Sequence, residues 1–247
     1  MLQCNNVGVT LGGEEILQSI SFTLRPNTFT AVLGKNGSGK STLAACICAQ
    51  QKHTGQITLD GSVLASLSPR ERAQRIAVLP QNVPTPNLSV RQLVSLGRNP
   101  YIGLSRRMDE DDFAAIDRAL TRTDLTGFAN RMLPTLSGGE RQRAYLAMIL
   151  AQDADILLLD EPTTYMDIRA EAEFLQLLKA LTAEGKTLLV ILHNLTLAAK
   201  FADDVLLLDG GKQTFCGTKA ECLQKSAIES TFSVRRIDAD GEVLFLV

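Results

Sequence analysis

No stretch of this 247-residue chain approaches the roughly 20 consecutive apolar residues that a bilayer-spanning helix needs. The longest apolar runs, near Ile156 and Leu188, are short and bounded by charged or polar residues. Met1-Leu2-Gln3-Cys4-Asn5 offers no basic region followed by an apolar one, so no secretory signal is expected and the chain should be soluble. Charge of one sign is also missing. Lys and Arg number 25 against 27 Asp and Glu, a formal net charge of −2, so there is no global pull toward nucleic acid or anionic lipid. Cysteine is sparse and badly spaced for chemistry. Cys4, Cys46, Cys48, Cys216 and Cys222 include no Cys-x-x-Cys pair, and Cys46 and Cys48 sit two apart on an expected helix, pointing to different faces. Buried, reduced thiols in a cytosolic protein are expected, not disulfides or a zinc site. Internal repeats, low-complexity linkers and heptad runs are absent too. What is present, 45% hydrophobic residues, suffices for a core in one large domain, or in one domain with an inserted lobe.

The pattern along the chain is α/β. Val7 to Leu11, the turn Gly12-Gly13 and Ile20 to Leu24 read as antiparallel strands. Phe29 to Leu33 reads as a buried strand and Leu43 to Cys48 as a buried helix. Gln56 to Gly61 is a strand ending in an Asp-Gly turn. Ser68-Pro69-Arg70-Glu71 opens a short helix with a cap, a first-position proline and capping-box spacing. Arg75 to Pro80 is a strand stopped by proline. From about Leu88 to Ala151 strand signals vanish and apolar residues recur at helical spacing, with helices expected from Asp109 to Thr121 and from Ser137. Then Ile156–Leu159, Thr187–Leu192 and Val205–Leu208 are too uniformly apolar for half-exposed strands and suit a central, mostly parallel sheet covered on both faces. Helices at Ala170–Ala183 and Leu195–Phe201 link them into β-α-β units. The tail after Gly217 should hold a short helix or two and a final strand, Glu242–Val247.

Between the strand at Phe29 and the helix at Leu43 lies Gly34-Lys35-Asn36-Gly37-Ser38-Gly39-Lys40-Ser41-Thr42. It contains the phosphate-binding pattern Gly-x-x-x-x-Gly-Lys-Ser in the strand–loop–helix setting that pattern requires. A loop entering a helix carries backbone N–H groups without intrahelical acceptors, and the helix N-terminus adds partial positive charge. Glycines 34, 37 and 39 let the backbone curl around phosphate, Lys40 brings a full charge to the terminal phosphates, and the Ser41 hydroxyl can ligate Mg²⁺.

Two further constellations carry chemistry. Ile156-Leu157-Leu158-Leu159-Asp160-Glu161 is a buried strand ending in two acids. At that strand end Asp160 can hold Mg²⁺, and Glu161 can orient and polarise an attacking water. Leu136-Ser137-Gly138-Gly139-Glu140 starts a helix with a capping box, but a cap needs no Gly-Gly, and each glycine weakens the first turn by up to ~1 kcal/mol. The glycines make sense where something approaches the backbone closely, such as a second anion.

At these residues the chain resembles the nucleotide-binding subunit of an ATP-binding-cassette transporter. Leu136-Ser137-Gly138-Gly139-Glu140-Arg141-Gln142 matches that family's signature motif, and it stands ahead of Asp160 where the family has it. The loop from Gly34 resembles its Walker A motif and Ile156–Asp160 its Walker B. Gln81 resembles the Q-loop glutamine, Asp167 the D-loop aspartate and His193 the switch histidine. The resemblance covers essentially the whole chain. It implies a P-loop NTPase core with an N-terminal antiparallel β-subdomain, at about residues 1–87 and 152–247, and an α-helical subdomain inserted at about 88–151. It implies two copies paired head to tail, each ATP between one copy's phosphate loop and the other's Ser137-Gly138-Gly139. Gln81 would then sense Mg²⁺ and the attacking water, His193 the γ-phosphate, and Asp167 the opposite subunit.

A narrower resemblance runs from Leu88 to Gly103, with Leu79-Pro80-Gln81 and Pro162-Thr163-Thr164-Tyr165-Met166-Asp167-Ile168, to the ATPases of iron-siderophore, haem and cobalamin importers. In those importers this surface receives a helix from the membrane subunit. The expected partners are thus a second copy, two integral membrane permease subunits at the cytoplasmic face of the cell membrane and, indirectly, an extracytoplasmic substrate-binding protein. Nucleic acid is not expected. An ATPase for another substrate class, and a non-transport cassette ATPase, are the alternatives. Two departures from the family stand out. Leu11 occupies the place where an aromatic residue usually stacks on adenine, so base selectivity is expected to be loose. Met166 stands where leucine is commoner, a near-isosteric change.

Overall fold

The computed structural model describes residues 1–102, 107–164, 166–239 and 242–246, so Gly103, Tyr165 and Val247 of the stretches singled out above lie outside the described residues. In chain order the elements are β1 (Leu2–Leu11), β2 (Glu14–Thr23), β3 (Phe29–Gly34), α1 (Lys40–Ile47), β4 (Thr54–Leu59), β5 (Ser62–Val63), α2 (Pro69–Arg75), β6 (Ile76–Leu79), α3 (Val90–Leu96), α4 (Glu110–Arg122) and α5 (Gly138–Ala151). There follow β7 (Ile156–Asp160), α6 (Ile168–Ala183), β8 (Thr187–Ile191), α7 (Leu195–Phe201), β9 (Asp204–Asp209), β10 (Lys212–Thr218), α8 (Lys219–Gln224), α9 (Ala227–Phe232), β11 (Arg235–Ala239) and β12 (Glu242–Leu246). The chain forms two compact units, Met1–Leu67 with Leu178–Val247, and Ser68–Leu177.

In the first unit the strands run in the order β5-β4-β1-β2-β10-β9-β3-β8. β3 is fully buried and pairs in parallel on both sides, Ala31 facing Val190 of β8 and Val205 of β9. That is the sheet the apolar runs called for, since only strands covered on both faces read as uninterrupted Val, Leu and Ile. β1 pairs antiparallel with β2 and β4, as the alternation of Val7 to Leu11 requires. Polar side chains fasten the start of β3. Asp203 accepts the Phe29 N–H at 2.9 Å and pairs with Lys179, and Arg25 Nε donates to Asp204 at 2.7 Å. Burial works to raise the Asp203 carboxyl, but the bonds from Lys179 and the Phe29 N–H outweigh it and hold it below its ordinary range.

In the second unit β6 and β7 pair in parallel, Ile76 facing Ile156 and Leu79 facing Leu159. α3, α4 and α5 pack on one another through Leu93 and Val94, Ile116 and Leu120, and Leu146 and Ile149. Ser68, Ser89, Asp109 and Ser137 each close a capping box at a helix start. A buried ion pair ties the helices together: Arg98 Nε donates to Asp112 at 2.8 Å and Arg98 Nη1 donates to the Ala151 carbonyl at 2.8 Å. Those bonds offset the desolvation of both charges.

Some expectations need correction. β10 and β11 are strands that the polar sequences Lys212–Thr218 and Arg235–Ala239 do not advertise. The final strand is β12, paired only with β11 in a separate two-stranded sheet. Cys4, Cys46 and Cys222 are buried, but Cys48 is half-buried and Cys216 exposed, because residues of β10 alternate between the sheet and solvent.

Candidate functional site

The first unit carries the phosphate-loop pattern. β3 delivers the chain to Gly34, where a β-carbon would lie 2.4 Å from both the Leu208 carbonyl and the Ser38 hydroxyl, so the loop can fold back on the strand end only over a glycine. Gly39 caps α1 at φ 93°, and a side chain there would also strike Leu17 at 2.4 Å and the Ile16 carbonyl at 2.9 Å. The turn thus aims the first-turn N–H groups of α1 back at the loop, and these have no intrahelical acceptor. Lys40 is 6% exposed, and its ammonium donates to the Gly34 carbonyl at 2.8 Å and the Lys35 carbonyl at 3.1 Å. The cation is therefore held over the loop, where an anion can replace those carbonyls as its partner. Ser38 is buried, with no hydrogen-bond partner for its hydroxyl among the described residues. Lys35, Asn36, Gly37 and Ser41 are exposed, and Thr42 is half-buried.

The same unit places His193 two residues beyond the buried strand β8, exposed to solvent. Asn194 follows and caps α7, its side chain accepting the Leu197 N–H at 3.1 Å. This cap was legible as an Asn ahead of an apolar helical run, and it was missed. Leu11, at the end of β1, is 45% exposed and leads into the open turn Gly12-Gly13.

The second unit brings Gln81 and Glu161 together from positions 80 residues apart. The Gln81 amide donates to the Glu161 carboxylate at 2.6 Å. Asp160 ends β7, half-buried, and Glu161 sits just past it at φ 49°. A left-handed non-glycine residue costs of order 1–3 kcal/mol and persists only where its surroundings impose it. Here the turn is fixed from below: the Glu161 carbonyl accepts the Thr164 hydroxyl at 3.0 Å, while Thr163 Oγ1 donates to Glu171 at 2.9 Å. Thr163 and Glu171 were not anticipated as supports, since nothing local in the sequence pairs them. Asp167 is exposed and caps the start of α6 by accepting the Ala170 N–H at 2.8 Å.

Ser137 is exposed at the start of α5, its hydroxyl accepting the Glu140 N–H at 3.3 Å while Glu140 accepts the Ser137 N–H at 2.7 Å. That backbone bond holds the Glu140 carboxyl below its ordinary range. Gly138 is exposed as well. At Gly139 a β-carbon would meet no heavy atom of the described residues within 4 Å beyond its chain neighbours and its own helix backbone. Among the described residues no group of three or more His, Cys, Asp or Glu side chains could hold a metal ion by itself. No helix among them is long and apolar enough to cross a membrane.

Comparison with known proteins converges on one family. The family model described as ABC transporter matches residues 17–164. The hemin import ATP-binding protein HmuV of Pseudomonas fluorescens (strain Pf0-1) is 38% identical over 242 residues, covering 95% of this chain and 93% of that protein. The ferric enterobactin transport ATP-binding protein FepC of Escherichia coli (strain K12) is 37% identical over 235 residues, covering 94% and 87%. Among solved structures, a metal-chelate type ABC transporter in an inward-facing conformation superposes with a TM-score of 0.85 at 26% identity, covering 100% of this chain and 97% of that one. A dimeric ATP-binding cassette in a post-hydrolysis state with ADP and Pi superposes with a TM-score of 0.75 at 26% identity, covering 89% and 99%. The chain therefore belongs to the ABC transporter family as an ATP-hydrolysing cassette.

Proposed function

We propose that this chain powers an importer for ferric siderophore, haem or cobalamin, working as a homodimer beneath two integral membrane permease subunits at the cytoplasmic face of the membrane. An extracytoplasmic binding protein would deliver the substrate. The observation that carries the substrate class is that relatives matching nearly the full chain are named for hemin and ferric enterobactin import. The stretch from Leu88 to Ile102, within the helical lobe read at 88–151, supports it.

In this reading the Lys40 ammonium and the first-turn N–H groups of α1, with Gly34 to Thr42 wrapped around them, bind the ATP phosphates. Ser41, Asp160 and the amide oxygen of Gln81 would hold Mg²⁺; hydroxyl, carboxylate and amide oxygens suit a hard cation. Bound there, Mg²⁺ supplies neutralisation of phosphate charge. Glu161 orients the attacking water and takes its proton. The bond from Gln81 fixes the carboxylate that must do so, through the nitrogen end of the same amide. His193 hydrogen-bonds the γ-phosphate. Ser137, Gly138 and Gly139 of the second copy close the other side of the nucleotide, and Asp167 faces that copy. Glu161→Gln tests the chemistry: ATP binding should persist, a closed dimer should accumulate, and hydrolysis should fall by roughly 10²-fold or more. Unchanged turnover would remove Glu161 as the catalytic carboxylate. Uptake assays on the reconstituted complex with ferric siderophore, haem and cobalamin test the substrate.

A further inference from the structure

Among the described residues, the hairpin of β11 and β12 is a two-stranded sheet joined to no other strand. Such a hairpin is marginal alone, so its position depends on what it packs against. On one side Arg236 reaches the turn between α8 and α9, donating to the Leu223 carbonyl at 2.7 Å with Glu229 3.8 Å away. On the other side β12 lies along α7. The Phe245 N–H donates to the Thr196 hydroxyl at 3.3 Å, and Lys200 pairs with Glu242. Thr196 and Lys200 are four residues apart, on one face of the helix.

α7 has seven residues, too few to hold its own shape without tertiary support. It begins two residues after His193. Before His193 the chain is locked, with β8 buried in the sheet and the Leu192 N–H donating to the Val32 carbonyl at 3.2 Å. After His193 the chain is held by the inner contacts of α7, through Leu197, Ala198 and Ala199, and by β12 on its outer face. The Lys200–Glu242 pair is about half exposed and contributes little energy by itself. On that outer face, packing of β12 and the Thr196 bond therefore matter more than the ion pair.

We propose that the β11–β12 hairpin is a positioning element for hydrolysis: it clamps the outer face of α7 and so fixes where His193 stands. This rests on His193 acting at the γ-phosphate. Misplacement of a catalytic group by about 1 Å can cost on the order of 10²-fold in rate, so a clamp of this kind has room to matter without touching nucleotide.

The test compares the full chain with a variant ending at Val234, with Thr196→Val and Thr196→Ser, and with Lys200→Glu, Glu242→Lys and their swapped pair. Each is assayed as the dimer for ATP binding and for kcat and KM. Loss of the hairpin should lower kcat roughly tenfold with KM and ATP affinity unchanged. Thr196→Val should lower kcat about threefold, and Thr196→Ser, which keeps the acceptor, should restore it. If the shortened chain does not fold, Thr196→Val against Thr196→Ser decides alone, because both keep the hairpin. Equal losses in affinity and kcat, or full turnover in Thr196→Val, would overturn the proposal. A second comparison uses His193→Ala. If that change cripples turnover and removing the hairpin then costs nothing more, the clamp acts through His193. If the two losses multiply, the clamp does not act there and the proposal falls. If His193→Ala alone leaves turnover intact, the role given to His193 has failed, and the clamp with it.

Discussion

Replacing Gly139 by alanine should make this protein more stable and less active. Gly139 is the second residue of α5, behind the Ser137 cap. Beyond its chain neighbours and its own helix backbone, a β-carbon at this position would meet no heavy atom of the described residues within 4 Å, so alanine introduces no clash. Glycine in a helix is worse than alanine by up to ~1 kcal/mol, chiefly because it leaves more backbone freedom in the unfolded chain. For a chain of this size that gain raises the melting temperature by roughly 1–4 °C. The functional expectation has the opposite sign. If a second copy's nucleotide lies against this helix start, the added methyl stands in its path. A misplacement of this kind should lower kcat/KM by roughly 10- to 100-fold, a loss of about 1.4–2.7 kcal/mol of transition-state stabilisation. The assays are a thermal melt of the nucleotide-free protein and steady-state ATP hydrolysis with Mg²⁺. A fully active, stabilised Gly139→Ala would refute the idea that anything approaches this backbone from outside. A lowered melting temperature would refute the packing argument.

Other expectations follow from single sites. Leu11→Tyr should tighten ATP binding about 5- to 150-fold, since stacking on a base is worth roughly 1–3 kcal/mol, and should weaken competition by GTP; unchanged affinity in nucleotide titrations would remove Leu11 from the base. Asp203 is held below its ordinary range in the folded chain, so its stabilisation is complete above the unfolded carboxyl value and is lost as pH falls through the lower folded value. Asp203→Asn should therefore destabilise the protein at pH 7 by on the order of 1 kcal/mol, read as a lowered melting temperature, and the gap to the parent should close as pH falls through and below the ordinary carboxylate range; a gap independent of pH would refute it. Burial pushes the thiols of Cys4 and Cys222 up to about 12 and that of Cys46 up to about 11. Native protein treated with iodoacetamide at pH 8 should leave those three unmodified by mass spectrometry and label Cys216 slowly, whereas urea should expose all five.

The sequence was informative where one residue type can do only one job locally. Ser68, Asp109 and Ser137 open helices as expected, because a cap and its third residue form a short-range signal. β8 and β9 were legible as unbroken apolar runs. β10 and β11 were not, since Lys212-Gln213-Thr214 and Arg235-Arg236 take strand geometry from their neighbours rather than from propensity. Motif order singled out Gln81 and Glu161, but not that one's amide would bond the other's carboxylate across 80 residues of sequence. The left-handed backbone at Glu161 had no local herald either, because the chain adopts it under constraint from Thr163, Thr164 and Glu171.

The phosphate-loop glycines differ from Gly139 in what this chain itself demands of them. Gly34 is required by packing, with the Leu208 carbonyl where its β-carbon would be. Gly37 is required by its φ of 77°, and Gly39 by both its φ and the crowding from Leu17 and Ile16. The phosphate loop would therefore need glycine even in a lone, ligand-free subunit. Gly139 has an ordinary helical backbone and open space around it, so nothing within the chain penalises a side chain there. A glycine that weakens its own helix where a side chain would not be crowded points to a requirement outside its subunit. In a family whose cassettes include a dimer with ADP and Pi, the requirement that fits is a nucleotide shared with a second copy. In the proposed head-to-tail pairing the phosphate loop would supply half of each site from one chain, and the uncrowded backbone at Gly139 is what the other half would require.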